Sequence, residues 1–401
     1  MDRPVENLLF PSATADSAVS ATSSARTASN ASSLSSPGLL GTSTKVHTST
    51  NRRRRSTEPG KVSPRGKRPG GRRASGGELG AGELGFCVLG SGSGGNSSLL
   101  QIGGGAGGGS GGGRGRGGKN LLIDAGFGPR TISKRLGQIK VQLSQLDGIF
   151  VTHLDQDHFR PTWVRAALKW KIKIYVHQWH LKEFSRLKGY VDLCRASLVR
   201  DFDSGPFEPW PDSEADLEAD SQTGSQTRSQ TESQTNSGVR VSTVRLPHDT
   251  KGTTGYRFDT PHGAVGVATD LGHVPRQLIE CFAGVDLLAI ESNYDPQMQI
   301  GSSRPAFLKQ RVMGGRGHLS NQQAFEAVQR IAELCPSGNP QHVVLLHRSS
   351  QCNDPAIVKQ TFEKDARFAR RVVLTQQRRR TRLIRIKPLQ ALHREQMRLA
   401  F

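Results

Sequence analysis

Cysteine is scarce and unpaired in this chain: five residues (Cys87, Cys194, Cys281, Cys335 and Cys352) are scattered, with no Cys-x-x-Cys spacing. That argues against a disulfide scaffold and a thiolate zinc site, and it suits reduced thiols in a cytoplasmic protein. No apolar run approaches the roughly 20 residues that cross a bilayer, so no membrane role is expected. The start has no signal-peptide core either, since Asp2 and Glu6 precede only Leu8-Leu9-Phe10. Its Ser/Thr/Ala-rich opening reads as a transit-like leader or equally as a disordered tail. Acids are outnumbered, 34 Asp and Glu against 55 Lys and Arg, for a formal net charge of +21. Such an excess favours a polyanionic partner, nucleic acid ahead of a membrane surface.

Hydrophobic residues make up only 34% of the 401 positions, and their distribution sets the domain boundaries. Residues 1–83 are Ser, Thr, Ala, Gly, Pro and Arg with almost no large apolar side chains, which cannot offset the entropy of ordering. This segment reads as a disordered basic tail. Asn51-Arg52-Arg53-Arg54-Arg55 and the stretch from Lys61 to Arg73 suit either a flexible arm near phosphates or a solubilising tail. Two insertions are also low in complexity: the glycine-rich 103–118, and 204–237, acidic at first and then a Ser-Gln-Thr repeat. Residues 84–387, less these insertions, form one domain, and 388–401 a C-terminal tail.

Inside that domain short apolar strands alternate with helices, which indicates α/β layers. Strands are expected at 84–89, 99–102, 120–126, 146–151, 173–176, 239–246, 254–258, 264–269, 287–290 and 343–346. Helices are expected at 129–136, 161–170 and 178–188. Five of the strands run directly into His153, His248, Asp270, Glu291 and His347. Strand ends in a layered α/β protein cluster on one rim, where ligands bind, so five polar ends point to a common site. Asp124 also ends a strand and is expected to hydrogen-bond the loop that carries the ligands rather than to react. His177 and His180 have no neighbouring carboxylate and read as ordinary surface or helix-start residues. The loop Gly90 to Ser98 lacks the Lys of a P-loop; it is a backbone nest for phosphate or a plain glycine-rich hairpin.

The densest signal is Ile149-Phe150-Val151-Thr152-His153-Leu154-Asp155-Gln156-Asp157-His158. Two imidazoles and two carboxylates within six residues repel or desolvate one another unless a cation holds them, so a divalent metal or a pair is the economical explanation. His-x-Asp-x-Asp-His resembles the His-x-His-x-Asp-His signature of the metallo-β-lactamase superfamily, with Asp155 where a histidine is usual. An oxygen donor there hardens the site and shifts preference from zinc toward manganese or iron. Further segments resemble the YycJ (WalJ) branch, bacterial metal-dependent DNA exonucleases: Gly90 to Ser97, Asp270 to His273, Glu291 to Asn293, Gly317 to Asn321, and His347 to Asn353.

That resemblance implies a four-layer αββα sandwich with two divalent metal ions, zinc or manganese. It implies that His153, Asp155 and His248 hold one ion, that Asp157, His158 and His347 hold the other, and that Asp270 bridges them. His318 is expected near the scissile phosphate, with Asp157 the other residue acting in catalysis, and Ser320 as a helix N-cap. Two ions roughly 3.5–4 Å apart can share a hydroxide that attacks a phosphodiester in line. Arg348, Arg304 and Lys309 are candidate phosphate contacts or simply surface cations. The last 38 residues hold twelve Lys or Arg against Asp365 and Glu395, with Arg378-Arg379-Arg380 at the turn of an expected hairpin between 372–374 and 383–386. The expected function is a metal-dependent hydrolase acting on DNA. RNA processing and small-ester (lactone or thioester) hydrolysis suit the same scaffold. A nucleic-acid-binding protein without catalysis is the rival from another class.

Overall fold

The computed structural model describes residues 79–80, 82–104, 118–210, 238–335 and 340–387. The disorder expected for the N-terminal tail, for most of both insertions and for the C-terminal tail falls outside the described residues. In chain order the strands are β1 (Leu84–Gly90), β2 (Ser97–Ile102), β3 (Lys119–Ile123), β4 (Gly148–Val151), β5 (Lys173–His177), β6 (Val199–Phe202) and β7 (Arg240–Leu246). They continue as β8 (Thr253–Thr260), β9 (Gly263–Ala268), β10 (Leu287–Glu291), β11 (His342–Leu346), β12 (Val372–Leu374) and β13 (Ile384–Ile386). The helices are α1 (Pro129–Gly137), α2 (Thr162–Trp170), α3 (Gln178–Phe184), α4 (Tyr190–Arg195), α5 (Arg276–Cys281), α6 (Pro296–Gly301), α7 (Ala306–Met313), α8 (Asn321–Glu333) and α9 (Pro355–Glu363).

Strands buried on both faces explain the near-continuous apolar runs, because successive side chains point to opposite layers. In β4, Phe150 points between the two sheets, while Ile149 and Val151 pack outward with Ile132 of α1 and Trp163 of α2. In β10, Leu287 and Ala289 face the other sheet, while Leu288 and Ile290 lie with Ile279 of α5, Val328 of α8 and Phe362 of α9. The result is helices, sheet, sheet, helices: the expected αββα sandwich. The sheets run β13-β1-β2-β3-β4-β5-β6 and β12-β11-β10-β9-β8-β7.

Strand direction aims the site. β3 through β6 are mutually parallel, and so are β9 through β12. β7 points the same way as β9, since β8 is antiparallel to both. Within each sheet the strands that end in expected ligands therefore finish on one side, and the two sets of strand ends meet at those residues. Local chemistry sets the helix starts: Pro129 stands at the first turn of α1, and Ser320 and Gln323 form a reciprocal capping box on α8.

Several segments depart from the sequence reading, among them β6, where no strand was expected. The helix expected at 178–188 ends at Phe184, and Gly189 in the left-handed region starts α4. The chain beyond residue 204 stays packed through Trp210: Phe207 pairs with Val241, and Tyr175 Oη donates to the Pro209 carbonyl at 2.8 Å. Aromatics within a polar stretch explain it, since Phe207 stacks on Phe202 with centroids 4.7 Å apart. Finally, 372–374 and 384–386 do not form a hairpin. β12 extends the second sheet beside β11, whereas β13 closes the first beside β1, so the arginine run crosses from one sheet to the other.

The inter-sheet layer depends on Phe150. Its ring stacks on Tyr175 at 4.3 Å and meets the edges of Phe258 at 5.1 Å and Tyr256 at 5.7 Å. Phe150→Ala is expected to cost about 3–5 kcal/mol, the range for a buried aromatic. Urea unfolding reads this as a lower midpoint at unchanged slope; a loss under about 1 kcal/mol would contradict the packing account.

Candidate metal centre

Five imidazoles stand in a closed circuit at the rim. Ring centroids are 4.2 Å apart for His153 and His158, 5.6 Å for His158 and His347, and 5.1 Å for His347 and His318. The circuit closes through His248, 5.2 Å from His318 and 5.5 Å from His153. Buried Asp270 sits against three of them: its carboxylate oxygens lie 2.6 Å from His158 Nε2, 2.5 Å from His347 Nδ1 and 3.2 Å from His318 Nδ1.

All the residues expected at the site are thereby brought together. His153, Asp155 and His248 have donor atoms mutually within 4.8 Å, and so do Asp157, His158 and His347. Asp270 forms such a group with His153 and His158, and another with Glu291, His318 and His347.

Hydrogen bonds at Nδ1 orient three of the rings and leave Nε2 facing the cluster. His158 Nδ1 lies 2.7 Å from Asp124 Oδ2, His153 Nδ1 3.0 Å from Thr152 Oγ1, and His248 Nδ1 2.9 Å from the Gly317 carbonyl. Asp124 also accepts from Thr152 N at 2.9 Å, so it fixes both the loop and a ring, as its position at a strand end predicted. Metal-binding histidines use such outer partners to set tautomer and angle.

Backbone strain collects at the same place. Asp124, Asp249, Asp270 and His347 all have positive φ, four of the seven such non-glycine residues among those described. Each costs on the order of 1–3 kcal/mol and persists only where the surroundings over-determine it. Gly126 is required for proximity, because a Cβ there would collide with the Asp157 carbonyl oxygen.

The charges of the donors are tightly coupled. Burial opposes the charged form of His158 and His347, yet Asp270, joined by Asp124 at His158 and by Asp157 and Glu291 at His347, holds both well above the usual imidazole range. His318 is raised to about 9: burial opposes its charge, and Glu291 with Asp270 outweighs it. His153 goes the other way, held well below by burial and by the neighbouring His158. Among the described residues, the ion-pair partners of Asp157, Asp270 and Glu291 are imidazoles alone. A divalent ion can replace those protons and satisfy the same carboxylates. His347 Nε2 also fits such an ion: it is buried without a hydrogen-bond partner, with Asp157 Oδ2 at 3.4 Å.

Glu291, placed at the rim by its strand end but given no partner there, and Asn96, a residue of the glycine-rich loop, complete the site. Glu291, fully buried, accepts from His318 Nδ1 at 2.8 Å and from the Leu271 amide, and lies 3.0 Å from His347 Nδ1. Its place at a strand end was the available signal. Asn96 puts Nδ2 2.9 Å from His158 Nε2, and its amide donates to the Asp157 carbonyl at 2.7 Å.

The loop holding Asn96 is a clamp and not a phosphate nest, since its amides are spent internally. Ser91, Gly92, Gly94, Gly95 and Asn96 donate to Gln376 O, Asn96 Oδ1, Gln377 Oε1, Gly92 O and Asp157 O. Ser91 Oγ accepts from His347 N at 2.7 Å, tying the same loop to the second sheet.

His177 caps α3 as a helix-start residue would, but both it and His180 are buried rather than on the surface. Arg304 bonds Gln299 and Gln351, and Lys309 reaches the Ile300 carbonyl. No described helix is long and apolar enough to cross a membrane.

Comparison with known proteins agrees with this architecture. The family described as "Beta-lactamase superfamily domain" matches residues 119–347. Exodeoxyribonuclease WalJ of Streptococcus pneumoniae serotype 2 (strain D39 / NCTC 7466) is 27% identical over 247 residues, 61% of this chain and 76% of that protein. Exodeoxyribonuclease YycJ of Bacillus anthracis is 23% identical over 268 residues, 67% of this chain and 83% of that protein. Among solved structures, the metallo-β-lactamase fold protein YhfI from Bacillus subtilis aligns with a TM-score of 0.45 at 14% identity, covering 74% of this chain and 99% of that one. Exodeoxyribonucleases WalJ and YycJ are thus what the chain is similar to; the family match takes in the strands that end at His153, His248, Asp270, Glu291 and His347, and the chain belongs to the metallo-β-lactamase superfamily.

Proposed function

We propose that this metal-dependent hydrolase cuts phosphodiester bonds of DNA with a pair of divalent ions. The observation that carries the reading is the five-imidazole circuit around Asp270, with a separate three-residue donor set on each side. Two similar proteins named as exodeoxyribonucleases, and a net charge of +21, favour DNA over a small neutral ester.

His153, Asp155 and His248 would hold one ion, Asp157, His158 and His347 the other, and Asp270 would lie between. Such a pair supplies a nucleophile at neutral pH and stabilises the charge gathering on phosphorus. The chain's own residues do the positioning. Asp124 and Thr152 aim two rings, Asn96 pins the Asp157 backbone, and Glu291 holds His318 and His347. His318 is bound through Nδ1 and its side chain is 20% exposed, the most open of the five imidazoles. Its other nitrogen is therefore free to meet a phosphate oxygen or to protonate the leaving group.

End-labelled DNA, RNA and a chromogenic lactam, each with manganese or zinc, test the reading. DNA cleavage is expected, abolished by chelation, and Asp157→Ala or His158→Ala should lower it by well over 100-fold, beyond the roughly 10–100-fold that loss of an outer partner costs, while DNA binding survives. Turnover of the lactam alone, or binding without turnover under every metal, would sink it. Asp124→Asn should fall within that roughly 10–100-fold range, read as weaker metal affinity in a titration; an unchanged affinity would deny Asp124 its orienting role. Asp155→His should shift the ratio of zinc-supported to manganese-supported rate upward, because nitrogen is the softer donor. An unchanged ratio would mean that Asp155 is not a ligand.

A further inference from the structure

Six cations line a cleft of about 680 Å³ between α1 and the segment that crosses from β12 to β13: Lys134, Arg135, Arg378, Arg379, Arg380 and Arg382. The other lining residues are neutral, and no carboxylate is among them. Arg135 is tied to the Leu89 carbonyl at 2.7 Å and Arg380 to Gln138 Oε1 at 2.8 Å. Lys134, Arg378, Arg379 and Arg382 are exposed and have no ion pair among the described residues. A run of arginines on a convex surface spreads its charge into water. Here two basic walls face each other across a concavity, where like charges repel and the field is focused, so a bound polyanion relieves what solvent screens poorly.

The cleft connects to the metal centre through one loop. Gln376 and Gln377, just before the arginines, accept from the amides of Ser91 and Gly94. Two residues beyond Gly94, Asn96 of the same loop is bonded to the Asp157 backbone and lies against His158. On the other wall, Arg135 lies over the Phe127 ring at 4.1 Å, and that ring is packed against Gly95. The cleft is thus separated from the metal donors by the thickness of a single clamp.

We infer that this cleft binds the phosphate backbone of the DNA strand whose reacting bond lies at the metal donors. The inference rests on the phosphodiesterase reading for its ligand, and on the cleft alone for its place. Its size and its two-sided row of cations suit several consecutive phosphates rather than one anion. Contacts to phosphate make the binding indifferent to sequence.

The test compares full-length protein with a K134Q/R378Q/R379Q/R382Q variant, all four side chains being exposed, and with an R165Q/K169Q/K171Q/R195Q control that removes equal charge from exposed positions of α2, α4 and the turn after α2. Binding of a fluorescein-labelled single-stranded oligonucleotide is followed by anisotropy in chelator, and turnover of bis(p-nitrophenyl) phosphate is followed with manganese. The cleft variant should lose about tenfold or more in affinity, and the slope of log affinity against log salt should fall by roughly 3, on the order of 0.7 per cation for a single strand. The control should change little, and both should turn over the small diester at the wild-type rate. Equal losses in variant and control, unchanged affinity in the cleft variant, or no binding by wild type overturns the cleft. Cleft-dependent binding with no diester or DNA turnover by wild type upholds the cleft and overturns the phosphodiesterase reading instead.

Discussion

Asp270, a carboxylate with almost no solvent contact, is the constraint around which the rim is built. Burying an ionised carboxylate costs several kcal/mol unless compensating charge and hydrogen bonds are supplied with good geometry. Three imidazoles meet it directly, and each depends on another buried acid for its own charge. Removing any one partner leaves an uncompensated charge in the interior. The sandwich is what makes the arrangement affordable: parallel strands from two sheets deliver ligands to one line, and the tight turns that follow them force Asp124, Asp270 and His347 into left-handed backbone. Hydrophobic burial across three layers of side chains sustains that strain.

Much of this was legible in the sequence because strand ends announce themselves. An apolar run followed at once by His, Asp or Glu gives both the element and the direction of its last side chain. His153, His248, Asp270 and His347 were all found that way. What stayed hidden was pairing. Glu291 ended a strand like the others, but only the folded chain brings its carboxylate against His318 and His347. Asn96 lay in a loop whose glycines drew attention to the backbone, while its side chain and its amide make the contacts with the ligand loop. Val372 to Leu374 and Leu383 to Ile386 looked like two halves of a hairpin because they are close in sequence with a polar turn between. Nothing local distinguishes that from two edge strands of different sheets.

The clamp and the crossing work as one device. A single loop between β1 and β2 touches the His158 side of the centre through Asn96, the His347 side through Ser91, and the basic crossing through Gly94. Ligands carried by two different sheets would otherwise depend on inter-sheet packing alone for their separation. With the loop bonded to both, a shift of one sheet against the other breaks hydrogen bonds at a buried position, where an unpaired polar group costs about 1–3 kcal/mol. The glycines therefore serve close approach: side chains at Gly90, Gly94 or Gly95 would run into Arg135, Gln377 or Phe127.

Asp155 is where departure from the family pattern costs the fold least. Its side chain is 57% exposed, against 25% for Asp157 and 8% or less for His153, His158, His248, Asp270 and His347. A hydrated carboxylate at that position packs against little, so exchanging it for an imidazole neither opens a cavity nor strands a charge. A change at His158 or Asp270 would do both. Arg311 bonds Asp249, the neighbour of His248, at 2.6 Å. As a ligand, Asp155 would let variation alter the hardness of the site, and with it the preferred metal, without disturbing the network that holds the buried residues.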